Sequence, residues 1–98
     1  MSMPDLLAGV YRHYKGPLYL VLGYGRDAND DGRMVVVYIG LELTDAARPG
    51  ARMTVRDLAD FQAIVDPTTG AAVDVARPSA DYPRRFTYTG PVWLGNHT

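Results

Sequence analysis

The residues best equipped for chemistry lie together near the start of the chain, in Tyr11-Arg12-His13-Tyr14-Lys15-Gly16. If the segment is extended, successive side chains point to opposite faces. Tyr11, His13 and Lys15 then share one face, and Val10, Arg12 and Tyr14 the other. A phenol, an imidazole and an ammonium on one face can hold a phosphate, a carboxylate or a stacked base. The same set can also be structural, with rings packed inward and polar tips bonded to backbone. As a general acid or base, His13 needs a partner carboxylate and a cleft. Asp27 and Asp57 are the candidate partners.

Other chemical signals are weaker. Asp27-Ala28-Asn29-Asp30-Asp31-Gly32 has the acidity of a calcium loop. Such a loop needs an ordered ligand set closed by a distant Glu. Here Arg33 and an apolar run follow, so a solvated turn is expected. Ser2 and Ser79 lie in no activated-serine context, and His97 sits in the tail. There is no cysteine, which removes disulfides, cysteine–zinc sites and thiol catalysis. No catalytic residue, metal ligand or cofactor is assigned. Arg56 can serve an anion site, or pin a helical turn through Asp60 four residues on. Arg84-Arg85 is a minor basic patch.

These residues must be positioned by strands. Seven Tyr, two Phe and one Trp with many Val and Leu favour β structure, and ten Gly and seven Pro punctuate it. Val10–Tyr14 reads as a first strand and Lys15-Gly16-Pro17 as a turn. Leu18–Arg26 reads as a second strand, with Gly23 and Gly25 predicting a bulge or bend. Asp27–Gly32 is a polar turn whose Asp and Asn side chains suit bonds to the backbone. Met34–Leu43 is a third strand, and its apolar run Val35–Ile39 predicts a central position. Thr44–Gly50 is a loop.

Thr54-Val55-Arg56-Asp57 resembles a capping box and predicts one or two helical turns carrying Leu58 and Phe61 inward. Phe61–Val65 and Ala71–Val75 read as strands joined by the loop Asp66–Gly70, and Arg85–Thr89 as the last strand. About six short strands and one helical turn predict a mostly β fold. It is a small barrel or a strongly curved antiparallel sheet. Ninety-eight residues suit one domain, with a core over 9–89 and extensions at 1–8 and 90–98.

The formal net charge of −1 argues against a dedicated nucleic-acid binder. Residues 1–9 lack the basic stretch and apolar run of a secretory signal. No apolar stretch nears the roughly 18 residues of a membrane span. A cytoplasmic protein with no membrane association is expected.

Several segments resemble one bacterial family, domain of unknown function 1653. They are Gly9–Gly16, Leu18–Gly23, Val36-Val37-Tyr38, Val55–Phe61 and, weakly, Pro83–Phe86. The resemblance implies a compact SH3-like β-barrel and no established activity. Tyr38 and Arg56 fall on its pattern. Arg26-Asp27-Ala28-Asn29 departs from the family's Arg-His followed by Glu-Thr, and Thr54–Leu58 lacks the family's Trp and Pro. The chain reads as a divergent member.

Three functional classes remain open. The first is a non-enzymatic binding or interaction module for an anionic small molecule or peptide, using Tyr11, Arg12, His13, Lys15, Tyr38 and Arg56. It predicts that some of Tyr11, Tyr14, Tyr19, Tyr24 and Tyr38 line one exposed groove. The second is a small enzyme using His13, and the third is nucleic-acid binding through Arg12, Lys15, Arg26 and Arg84-Arg85. A homodimer through an apolar sheet face is also open to the chain.

Overall fold

The computed structural model describes residues 6–41 and 53–91. The predicted loop Thr44–Gly50, the end of the third strand, Trp93 and His97 lie outside these residues. Five strands and one short helix follow in the order β1 (Gly9–His13), β2 (Leu18–Asp27), β3 (Asp30–Gly40), β4 (Met53–Asp57), α1 (Leu58–Phe61) and β5 (Phe86–Gly90). They form one sheet in the order β4-β3-β2-β1-β5, with every neighbouring pair antiparallel. Of the two architectures expected, this is the curved sheet. It is open, and among the described residues no ladder joins β4 to β5.

The β2–β3 hairpin is tighter than its acidic run suggests. Asp27 pairs with Asp30 across the two residues Ala28 and Asn29, and Asp30, Asp31 and Gly32 already belong to β3. The Asn29 amide donates to Asp27 Oδ1 at 2.8 Å, an Asx-type bond. The predicted bulge falls at Leu22, because Val21 pairs with Tyr38 and Gly23 with Val37. The extra residue reverses which parity faces inward. Tyr19 and Val21 meet the core before the bulge, and Tyr24 after it. Leu22 is left exposed.

Thr54–Asp57 is the clearest departure from expectation. It is strand, paired with β3 from Val35↔Asp57 to Ile39↔Met53. The capping box does not form: Asp57 stands at the N-cap of α1 but makes no side-chain cap bond. Its carboxylate instead accepts from Arg33 Nε. The predicted strands Phe61–Val65 and Ala71–Val75 are also replaced. Phe61 ends α1, and only isolated bridges remain, Ile64↔Arg84 and Val65↔Ala72. The loop between them is a turn, closed by Gly70 N donating to Asp66 O at 2.7 Å and Asp66 N to Ala71 O at 2.9 Å.

The core lies on one face of the sheet under α1. It is built from Tyr11, Val21, Val36, Tyr38, Phe61 and Phe86, with Leu6, Tyr19, Tyr24 and Leu58 packed against it. Most of this volume is aromatic. Phe61 and Phe86 stack at 4.1 Å with planes 6° apart, and Tyr11 and Tyr38 meet Phe61 edge-on at 5.3 and 5.5 Å. Each such pair adds about 0.5–1.5 kcal/mol beyond its area.

Candidate functional site

The residues singled out in the sequence divide into three groups in the structure. Tyr11 and Tyr38 are buried on the concave face. The Tyr11 hydroxyl donates to Leu7 O at 2.6 Å. Tyr19 and Tyr24 pack against the same core, and Tyr14 lies against His13 with ring centroids 4.4 Å apart. These rings therefore pack into the core or against His13, and the expected exposed groove lined by several of them is not formed. A chain this small fills its interior with its largest rings.

Arg12 and Lys15 form the second group, both turned away from the core. Arg12 Nη1 donates to Gly16 O at 2.7 Å, which ties the β1–β2 turn. Lys15 lies in that turn beyond the end of β1, so it does not continue the Tyr11/His13 face as a strand residue. Its ammonium sits 5.8 Å from the Tyr14 ring centroid.

The third group is brought together from distant parts of the chain. His13 ends β1, Tyr38 lies on β3, Arg56 on β4, Asp60 on α1, and Arg85 immediately precedes β5. Arg56 Nε donates to the Tyr38 hydroxyl at 3.0 Å and its Nη1 to Asp60 Oδ2 at 2.7 Å. Arg85 Nη2 donates to the other carboxylate oxygen, Oδ1, at 3.1 Å, and its Nε to the Asp60 carbonyl at 2.9 Å. Two cations thus share one carboxylate. The Arg56 guanidinium also lies 5.9 Å from the Phe86 ring centroid. Of the two sequence readings of Arg56, the Asp60 pair is formed, and it ties β4 to α1 and fixes the guanidinium.

Electrostatics bind His13 to this group. Its ring packs edge-on to Phe86 at 5.0 Å and to Tyr19 at 6.3 Å, and its Nδ1 accepts from the Lys15 amide at 3.1 Å. Burial lowers the imidazole pKa below its ordinary 6.5, and the positive charges of Arg56, Arg85 and Lys15 lower it further. For Arg56, burial works against the charge. Its bonds to Tyr38 and Asp60 outweigh that cost and hold its pKa above the ordinary value.

The proposed acid–base partners of His13 lie elsewhere. Asp57 and Asp27 both pair with Arg33, at the far end of the β2–β3 hairpin from His13. The basic set considered for nucleic acid is divided as well. Arg26 pairs with Asp31, and Arg85 is buried on Asp60. Among the described residues no cluster of three or more His, Cys, Asp or Glu could hold a metal ion. No helix of the described residues is long and apolar enough to cross a membrane.

Sequence reasoning placed His13, Tyr38 and Arg56 among the candidates but missed Arg85 as the second partner of Asp60. The i, i+4 spacing exposed the Arg56–Asp60 pair. The Arg85–Asp60 pair, 25 residues apart, left no local signal.

The fold and this arginine–carboxylate–arginine cluster define a small open-sheet domain with a polar focus where its two edges approach. Residues 9–88 match a family described as a protein of unknown function, DUF1653. The chain belongs to that family. It is also similar to a DUF1653 protein from Bordetella bronchiseptica, solved by crystallography, at 37% identity and a TM-score of 0.67. The likeness covers 96% of this chain and 100% of that one. No curated protein matches the chain.

Proposed function

We propose that this chain is a non-enzymatic binding module, one cytoplasmic SH3-like domain across its 98 residues. Its site is the Arg56 cluster, and its ligand carries a phosphate or carboxylate on a small molecule or peptide. One observation carries the reading. Arg56 is held at Nε and Nη1, yet its Nη2 has no hydrogen-bond partner among the described residues, and 33% of its side chain is open to solvent. A guanidinium fixed in this way presents donors without further loss of side-chain freedom on binding. The cluster holds two arginines against one aspartate, so an anion would complete its charge balance. Arg12, Lys15 and Tyr11 are not part of this site.

His13 supplies the readout. An anion beside Arg56 offsets part of the positive field on the imidazole, so its pKa moves up toward 6.5. Inorganic phosphate titrated against the full-length protein, followed by the His13 ring resonances, is expected to raise that pKa saturably. Arg56→Gln is expected to abolish the phosphate-dependent rise. If phosphate leaves His13 unmoved, or moves it equally in Arg56→Gln, the site is wrong.

A further inference from the structure

A cleft of about 670 Å³ opens beside α1, β1 and β5 and contains none of the charged groups just described. It shares only the Phe61 and Phe86 rings with the surroundings of the Arg56 cluster. Its floor is the buried Tyr11, Phe61 and Phe86, its open apolar wall comes from Leu6, Leu7 and Tyr88, and its polar lining includes Gln62 and Arg84. The volume lies within the range of small-molecule sites.

The polar groups carry the argument. Arg84 is exposed, and its guanidinium has no ion pair among the described residues, whereas Arg85 beside it is bound twice by Asp60. The Gln62 side chain likewise has no hydrogen-bond partner among the described residues, only its backbone amide being bonded, to Leu58 O. Among the described residues no acidic one lines the cleft, and the formal charge they bring to it is positive. The Tyr11 hydroxyl is already committed to Leu7 O, which leaves ring surface as its contribution. Aromatic walls favour a flat ring placed face-on or edge-on. An unpaired guanidinium favours a carboxylate, which it can grip through two parallel bonds.

We propose that this cleft is a second binding site, separate from the Arg56 cluster, for a planar aromatic carboxylate. The ring lies on the floor formed by the buried Tyr11, Phe61 and Phe86 and against the exposed Tyr88, and the carboxylate meets Arg84 with Gln62 as a further donor. The class is defined by one ring system and one negative charge. A neutral ring loses the Arg84 grip, and an anion without a ring loses the walls.

Indole-3-acetate and the uncharged indole-3-acetamide serve as paired probes on isotope-labelled full-length protein. The acetate is expected to give saturable amide shifts centred on Phe61, Gln62, Thr87 and Tyr88. It is expected to bind about ten-fold more tightly than the amide, equivalent to about 1.4 kcal/mol. Arg84→Gln should erase that preference while leaving the affinity for the amide unchanged. Arg84 is exposed, so the variant keeps the fold. Equal affinity for acid and amide overturns the proposal, as does a preference that survives Arg84→Gln. Shifts centred on His13 and Arg56, or no saturable shift up to about 10 mM, also overturn it. Shifts at His13 and Arg56 would leave the anion site standing and this cleft without a ligand.

Discussion

Arg85 holds Asp60 at two points, Nε on its backbone carbonyl at 2.9 Å and Nη2 on its carboxylate at 3.1 Å. The pair joins α1 to the start of β5, and Arg56 extends the connection to β4 through the other carboxylate oxygen. Strands β4 and β5 are the two edges of the sheet. The backbone leaves the sheet open, and side chains clasp its edges across the Phe61–Phe86 stack. The polar clasp and the proposed anion site are the same residues, so stability and binding are coupled through Asp60.

Removing Asp60 should therefore cost more than removing either arginine. Arg85 is buried, with 11% of its side chain exposed, whereas the Asp60 side chain is 42% exposed. Asp60→Ala strands a buried cation, and we expect a loss of about 3 kcal/mol in unfolding free energy. Arg85→Met leaves only a half-exposed carboxylate, which water can solvate, and should cost about 1 kcal/mol. Urea unfolding with an unchanged m-value measures both. Equal losses would mean that the stranded Arg85 charge does not set the cost.

His13 gives stability a pH dependence of known sign. Burial, then Arg56, Arg85 and Lys15, hold its folded pKa below 6.5. The unfolded chain therefore takes up this proton first as pH falls. Unfolding free energy should be flat above about pH 7 and decline as pH drops through 6.5 toward the folded pKa. His13→Gln should remove the slope that wild type shows in this window. A wild-type curve that rises as pH falls through 6.5 would contradict the depressed pKa.

The sequence made four of the five strands legible, because β1, β2, β3 and β5 carry alternation or an apolar run bounded by turn residues. β4 was hidden. Thr54-Val55-Arg56-Asp57 satisfies the local pattern of a helix start, and pairing with β3 outweighs that local preference. The bulge was signalled by Gly23 and Gly25, but its consequence, Tyr24 turning inward, depends on the register with β3. For the site, residue type marked His13, and the family resemblance marked Tyr38 and Arg56. The tyrosines misled because a ring suited to stacking a ligand is equally suited to filling a small core. Asp60 and Arg85 meet only through tertiary packing, which no spacing rule encodes.

Gly9 is a position where the backbone permits no side chain. Its φ is +142°, and a Cβ there would lie 2.6 Å from the Gly90 carbonyl oxygen and 3.0 Å from the Tyr88 ring. Backbone strain and a clash with β5 act together, so Gly9→Ala should destabilise by about 2–3 kcal/mol. Gly32 is a control, because a Cβ there meets nothing within 4 Å and its φ is ordinary. Gly32→Ala should change the thermal midpoint little. A similar loss in both variants would mean that the β1–β5 approach does not set the cost at Gly9, because the unfolded-state entropy change on Gly→Ala favours the fold.

Tyr38→Phe tests whether positioning of Arg56 controls the anion site. The ring stays in the core, where it packs against Tyr19, Phe61 and Phe86, and only the hydroxyl that accepts from Arg56 Nε is lost. The guanidinium keeps its Asp60 bond and a partly exposed setting, so water can take the vacated position. The stability cost should be at most about 1 kcal/mol. Phosphate affinity should fall several-fold, because Arg56 is then tethered through Nη1 alone and must be ordered on binding. Arg12→Ala should leave affinity unchanged, since that guanidinium is committed to the Gly16 carbonyl in the β1–β2 turn. Isothermal titration of the two variants beside wild type decides the matter. If Arg12→Ala weakens phosphate as much as Tyr38→Phe does, the anion is held by the β1–β2 turn instead of the clasp.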